Sequence, residues 1–160
     1  MLNKLKNMWK KEEKIGSPIR GEAVSIKEVN DPTFSDEILG KGIAIKPLTG
    51  RVVAPCDGTI SMVFDTKHAL SITTEHGAEL LIHVGLDTVN LKGQFFEAKV
   101  SAGEHVKAGT LLLEFDIEKI KEEGYDTICP IVVCNSHEFS NIEAITGEVS
   151  ELTEVLKIIQ

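Results

Sequence analysis

The sequence predicts an all-β fold, an antiparallel β-sandwich or barrel with a few short peripheral helices. Three observations carry that expectation: eight short β-branched runs at close spacing, turn chemistry between them, and little helical periodicity beyond the first residues. The runs are GEAVSI, KGIAIKP, GRVVAP, GTISMVF, HALSIT, AELLIHVGL, GTLLLEF and PIVVC. Turns are expected at Leu48-Thr49-Gly50, Cys56-Asp57-Gly58, Glu75-His76-Gly77 and Ala108-Gly109, with Asp57-Gly58 the strongest hairpin or tight-turn signal. Asp116 is placed to cap a short helix over IEKIKEEG that stops at Gly124, and SHEFSNI at 136–142 is a second short helical candidate. GRVVAPCDGTI and GEHVKAGTLLL share the order glycine, β-branched pair, turn, strand, which hints at an internal duplication.

Before the first of these runs the texture differs. MLNKLKNMWKKEEK sets Leu2, Leu5, Met8 and Trp9 on one side of a helical wheel and lysines on most of the other. Two readings stand side by side, a frayed tail or a basic amphipathic helix lying on an anionic membrane with Trp9 as its anchor. Residues 1–16 are therefore read as a basic amphipathic or flexible segment and residues 17–160 as the folded domain. Five lysines against two glutamates give residues 1–14 a net +3, which leaves −11 of the total −8 on the remainder.

At 160 residues, 42% hydrophobic and 26% charged, the chain has enough apolar surface for one globular core and too little length for two. No apolar run approaches the ~20 residues of a membrane span, so a soluble, cytoplasmic protein is expected. The acidic balance argues against nucleic acid and for a basic partner. Three cysteines, an odd count without a CxxC pair, argue against a disulfide framework and point to a reducing compartment.

Chemistry is sought among five histidines. His76, His105 and His137 fall in polar turns and read as solvated surface positions. His68 and His83 instead interrupt apolar strands. A hairpin closed near His76-Gly77 pairs those strands antiparallel, and the midpoint of 68 and 83 falls inside that turn, so the imidazoles are expected as cross-strand neighbours on one face. Each alone reads most simply as a core histidine satisfied by a backbone carbonyl. Together they suit metal ligation or phosphoryl chemistry, and no HxH, HExxH or Cys₂His₂ spacing is present to complete a zinc site. In phosphoryl transfer one neutral imidazole attacks phosphorus while the second holds its equatorial oxygens.

GKGIAIKP at 40–47, VVAPCDGTI at 52–60, TKHALSI at 66–72 and GAELLIHVGLDTVNLKG at 77–93 resemble the glucose-type enzyme IIA of the bacterial phosphoenolpyruvate-dependent sugar phosphotransferase system. The likeness covers nearly all of 17–160 and suggests a free-standing, single-domain IIA of duplicated hybrid-motif architecture. It implies that His83 accepts a phosphoryl group on Nε2 from the histidine-containing phosphocarrier protein and passes it to a cysteine on the IIB domain of a sugar permease. It further implies that the Gly85 carbonyl holds His83 Nδ1–H, that His68 stabilises the phosphate, and that Thr66 orients His68. Phe34, Ile38, Leu39, Phe64, Leu81 and Val89 match an apolar docking collar, and Asp87 matches an acidic rim residue. Asp31-Pro32-Thr33 departs from the apolar residue expected on that rim. No cofactor is required by this chemistry. In related proteins the unphosphorylated face binds regulatory partners, sometimes through a zinc ion shared with the equivalents of His68 and His83. The competing reading is a zinc-dependent hydrolase of the same architecture with His68 and His83 as ligands.

Overall fold

The computed structural model describes residues 11–160. Its first half holds β1 (Glu12–Gly16), β2 (Gly21–Ser25), β3 (Lys41–Pro47), β4 (Arg51–Val53), β5 (Gly58–Val63), β6 (Ala69–Thr74) and β7 (Glu79–His83). The second half holds β8 (Phe96–Ala98), β9 (His105–Val106), β10 (Leu111–Phe115), β11 (Cys129–Val133), β12 (Asn141–Ala144), β13 (Gly147–Val149) and β14 (Glu154–Ile159). Two short helices, α1 (Pro32–Ser35) and α2 (Ile117–Glu122), interrupt them. The all-β expectation holds: each of the eight sequence runs contains a strand. No described helix is long and apolar enough to cross a membrane.

The strands assemble into an eight-stranded sheet, in the order β13-β2-β3-β11-β7-β6-β5-β9, and two three-stranded sheets, β1-β14-β12 and β4-β10-β8. Neighbouring strands are antiparallel throughout. Alternation decides what each strand buries. Ile43 and Ile45 of β3, Leu70 and Ile72 of β6, Leu80 and Ile82 of β7, and Ile131 of β11 point to one side of the large sheet. There they join Ile15, Leu156 and Ile158 from β1 and β14, and Val52 and Leu113 from β4 and β10, in one continuous core. A second, smaller cluster lies on the other side: Val24, Ala44 and Val132 meet Ile26, Val29, Phe34, Leu86 and Ile128. The segment carrying α1 thus covers the outer face of β2, β3 and β11, and this second layer bears on the histidine pair.

α2 begins where the sequence places it, with Asp116 Oδ1 accepting from the Lys119 N–H at 3.1 Å, and the left-handed Gly124 lies just beyond it. Four expectations change. Glu12–Gly16, counted with the N-terminal segment, is a strand of the body, hydrogen-bonded to β14, with Ile15 fully buried. The amphipathic helix expected over residues 1–14 therefore does not include Glu12–Lys14, and the rest of that expectation, with Leu5 and Trp9, lies outside the described residues. Of the hairpin or tight turn expected at Asp57-Gly58 the hairpin does not form, because β4 and β5 belong to different sheets, and the chain bends over residues 55–57. Asp57 Oδ1 instead accepts from the Ala108 N–H at 2.8 Å, tying the crossing to the facing loop. Residues 136–142 form only a 3₁₀ turn, Ser136–Glu138, before β12 pairs with β14, because cross-strand bonds outweigh the weak helical preference of a polar stretch.

Leu156 is fully buried in a strand that lay outside the eight runs. Leu156→Ala should lower the unfolding free energy by about 2–5 kcal/mol, as for deletion of a well-packed leucine, whereas Val89→Ala, at 47% exposure, should change it by less than about 0.5 kcal/mol. Urea denaturation of both variants checks this; equal effects would show that the small sheet contributes little to the common core.

Candidate functional site

β6 and β7 pair with Ala69 opposite His83 and Leu70 opposite Ile82. The hairpin is therefore one residue out of the register expected from the midpoint of the two histidines. His68 stands opposite Val84, whose N–H donates to the His68 carbonyl at 2.7 Å. Strict alternation would then send the two imidazoles to opposite faces. They meet all the same, with ring centroids 4.9 Å apart and planes at 84°. The reason is local: His68 precedes the first residue of β6 and follows a tight turn with Lys67 at φ +59, so its side chain is not bound by the pleat. Phe64 and Lys67 close that turn through Lys67 N–H to Phe64 O at 2.8 Å and Phe64 N–H to Ala69 O at 3.0 Å.

His83 lies on the outer face, opposite in direction to Leu80 and Ile82, and its ring packs 5.1 Å from Phe34 of α1. Phe64 stands edge-on to His68 at 5.4 Å. His83 is half-buried and His68 only 3% exposed, so His83 is the ring that an approaching partner reaches first. Neither His68 nor His83 lines the clefts formed between β2, β3 and β13 or between β5, β6 and β9. With His83 part-exposed over a buried His68, the site suits a macromolecular partner better than a small enclosed ligand.

Hydrogen bonds divide the ring nitrogens. His83 Nδ1 is 2.7 Å from the Gly85 carbonyl oxygen. A carbonyl only accepts, so Nδ1 carries the hydrogen, and in the neutral ring the lone pair is on Nε2. Gly85 is left-handed, φ +76, and a Cβ there would stand 2.6 Å from Thr88 Cγ2 and 2.9 Å from the Asp126 carbonyl oxygen, so only glycine fits the turn that aims this carbonyl. Thr66 Oγ1 lies 2.7 Å from His68 Nδ1, which leaves His68 Nε2 as that ring's remaining nitrogen.

Both rings are neutral near pH 7. Burial, with a smaller contribution from the neighbouring His83, lowers His68 to about 4. Burial also lowers His83, against the opposing pull of the Gly85 carbonyl, Asp31 and Asp87. Burial raises Cys56 and Cys129 to about 12, so these thiols are poor nucleophiles.

The other sequence-derived positions lie at different depths, and of them Phe34 and Phe64 pack against the two imidazoles. Leu81 and Phe64 are half-buried, Ile38, Leu39 and Val89 are exposed, and Asp87 is exposed at the left-handed entrance to the 3₁₀ turn Thr88–Leu91. Phe34 is buried within the second cluster and touches His83 from beneath. Sequence reasoning missed Met62, which lies with Ser71 and Leu81 in one cross-strand row and is 48% exposed. It noted Asp31 only as a departure on the rim, whereas Asp31 caps α1 by accepting from the Thr33 N–H at 3.0 Å and its charge bears on His83. The Asp-Pro-Thr string was the available signal, a capping residue before proline at the first helical position. His76, His105 and His137 are exposed, as expected. Among the described residues no group of three His, Cys, Asp or Glu side chains forms a metal cage, so an ion shared by His68 and His83 would draw its other ligands from elsewhere.

The depressed His68 has a stability consequence. Above its ordinary value of 6.5, His68 is neutral both folded and unfolded; between 6.5 and about 4 the unfolded chain binds the proton and the folded chain does not. The stability of the parent relative to His68→Gln should therefore decline as pH falls from 7 to 4. Paired urea titrations check the difference, and a pH-independent difference would contradict it.

Residues 13–139 match the family model described as phosphoenolpyruvate-dependent sugar phosphotransferase system, EIIA 1. A glucose-specific EIIA component of Oceanobacillus iheyensis is 41% identical over 99% of this chain and 97% of its own length. A beta-glucoside-specific EIIBCA component of Bacillus subtilis is 49% identical over 79% of this chain, which spans only 21% of that protein. In structure the chain resembles the glucose permease IIA of Mycoplasma capricolum, with a TM-score of 0.85 and 33% identity over 92% of this chain and 96% of that one. With the neutral imidazole pair on one face of this sandwich, these likenesses place the chain in the EIIA family of the sugar phosphotransferase system.

Proposed function

We propose that the protein is a phosphocarrier in which His83 Nε2 accepts a phosphoryl group from the histidine-containing phosphocarrier protein and yields it to a cysteine on the IIB domain of a sugar permease. The observation that carries this reading is the Nδ1 contact to the Gly85 carbonyl, which leaves the partner-facing ring a neutral imidazole with its lone pair on Nε2. In the loading step that lone pair attacks phosphorus. The N–P bond to the donor imidazole breaks, its electron pair returns to the donor nitrogen, and a new N–P bond forms at His83. The cationic ring that results keeps its Nδ1 hydrogen on Gly85, so no proton has to move during transfer. In the second step the IIB thiolate attacks the same phosphorus and His83 Nε2 recovers its lone pair.

His68 serves the phosphate rather than the nucleophile. With Thr66 Oγ1–H donating to Nδ1, His68 carries its hydrogen on Nε2 and donates to a phosphate oxygen from behind the reacting ring. Exposed Ile38, Leu39, Val89 and Met62 supply an apolar collar for both partners, and Asp87 with the net −11 beyond residue 14 favours a basic donor surface. The similarity of the chain to part of an EIIBCA protein supports a IIB domain as the receiving partner.

Incubation with phosphoenolpyruvate, enzyme I and the phosphocarrier protein should add one acid-labile phosphoryl group by intact mass. His83→Ala should add none. His68→Gln should load but donate onward to a IIB domain about 10²-fold more slowly, as for removal of one donor to a developing charge. An unphosphorylated parent would overturn the carrier role, and labelling retained in His83→Ala would place the phosphate on another residue.

A further inference from the structure

The segment His83-Val84-Gly85-Leu86 carries three successive peptide planes, and each is anchored by a different group. The plane between His83 and Val84 is held by the Val84 N–H donating to the His68 carbonyl at 2.7 Å. The plane between Gly85 and Leu86 is held by the Leu86 N–H donating to the Asp126 carbonyl at 2.9 Å. In a trans peptide the carbonyl points opposite to the N–H, so this second bond turns the Gly85 oxygen toward His83 Nδ1. The plane between them exposes the Val84 carbonyl, which accepts from Thr88 Oγ1. Two of the three carbonyl-orienting anchors are backbone and survive any substitution. Thr88 is the side chain that holds the Val84 carbonyl, while the N–H of the same plane, on Gly85, faces the Cys129 sulfur.

Thr88 is fully buried, a position where a hydroxyl without a partner is costly. It belongs to the 3₁₀ turn Thr88–Leu91, so its bond spans a loop containing two left-handed residues, Gly85 at φ +76 and Asp87 at φ +59. Besides the Leu86 N–H on the Asp126 carbonyl, the loop is closed at its far end by the Asn90 N–H donating to the Asp87 carbonyl at 3.1 Å, and the Thr88 hydroxyl holds its near end. Its methyl group also faces Gly85, where Cγ2 would stand 2.6 Å from an added Cβ.

We propose that Thr88 is a positioning residue for phosphoryl transfer, its hydroxyl locking the Val84 carbonyl so that the next carbonyl, Gly85, holds His83 with the hydrogen on Nδ1. This rests on the reading that His83 Nε2 is the acceptor. It assigns a role to a residue that touches neither the imidazoles nor the phosphate.

Thr88→Val keeps the shape and removes the hydroxyl, and Thr88→Ser keeps the hydroxyl and removes the methyl. Two measurements on folded protein separate the possibilities: ¹⁵N imidazole shifts of His83 without any partner, and the single-turnover rate of loading from the phosphocarrier protein. Thr88→Val should shift His83 toward a mixture of tautomers and slow loading at least 10-fold, while Thr88→Ser stays within about 3-fold of the parent with the Nδ1–H tautomer retained. Parent-like tautomer and rate in Thr88→Val would overturn the proposal, as would equal losses in both variants, which would assign the effect to packing of the methyl. Should Thr88→Val not fold, an unshifted tautomer with slowed loading in Thr88→Ser would count against the hydroxyl. Because the tautomer is read without phosphorylation, failure of the parent to load would overturn the carrier role alone and leave the Thr88 result standing.

Discussion

The contact between His83 Nδ1 and the Gly85 carbonyl is the constraint on which the site depends. Imidazole has two nitrogens of similar basicity, and without a fixed neighbour the reactive lone pair would be divided between them. A backbone carbonyl removes the ambiguity without adding charge, so the ring keeps its nucleophilicity and its hydrogen. The geometry requires a left-handed residue two positions beyond the histidine, and a space too small for any side chain. The turn after β7 meets both demands with a single glycine.

The two-layered arrangement places that turn at a surface. Core packing on one side of the large sheet is continuous and rigid, which fixes β6 and β7 against each other. The second cluster, built on the opposite side beneath α1, brings Phe34 against His83 and leaves one imidazole reachable while its partner is buried. Left-handed backbone at Lys67, Gly85 and Asp87 flanks the pair, where the chain leaves the regular ladder. Burial then keeps both rings unprotonated, which for His83 is the nucleophilic state.

The fold was legible because each large-sheet strand with a buried face writes its apolar pattern into the sequence. Short strands such as β9 and β13 bury too few side chains to leave such a pattern, and β1 was hidden inside a lysine- and glutamate-rich stretch whose helical wheel looked plausible. The histidine pair was legible as two polar interruptions of apolar strands flanking one turn. Its register was not, because the one-residue offset is absorbed by the turn at Lys67, a conformational detail that residue types do not encode. Gly85 and Thr66 were reached through resemblance, and the structure sets both within hydrogen-bond distance of the expected rings. Thr88 and the Asp126 carbonyl were invisible, since their contribution is made through peptide planes.

The proposed relay depends on which nitrogen of His83 reacts. The protein, labelled with ¹⁵N in its imidazoles and phosphorylated through the complete donor chain, can be read by ³¹P and ¹⁵N spectroscopy at His83. The hydrogen bond to Gly85 requires the phosphoryl group on Nε2 with Nδ1 still protonated. Phosphate on Nδ1 would mean that the Gly85 carbonyl does not direct the chemistry, and the central claim would fall.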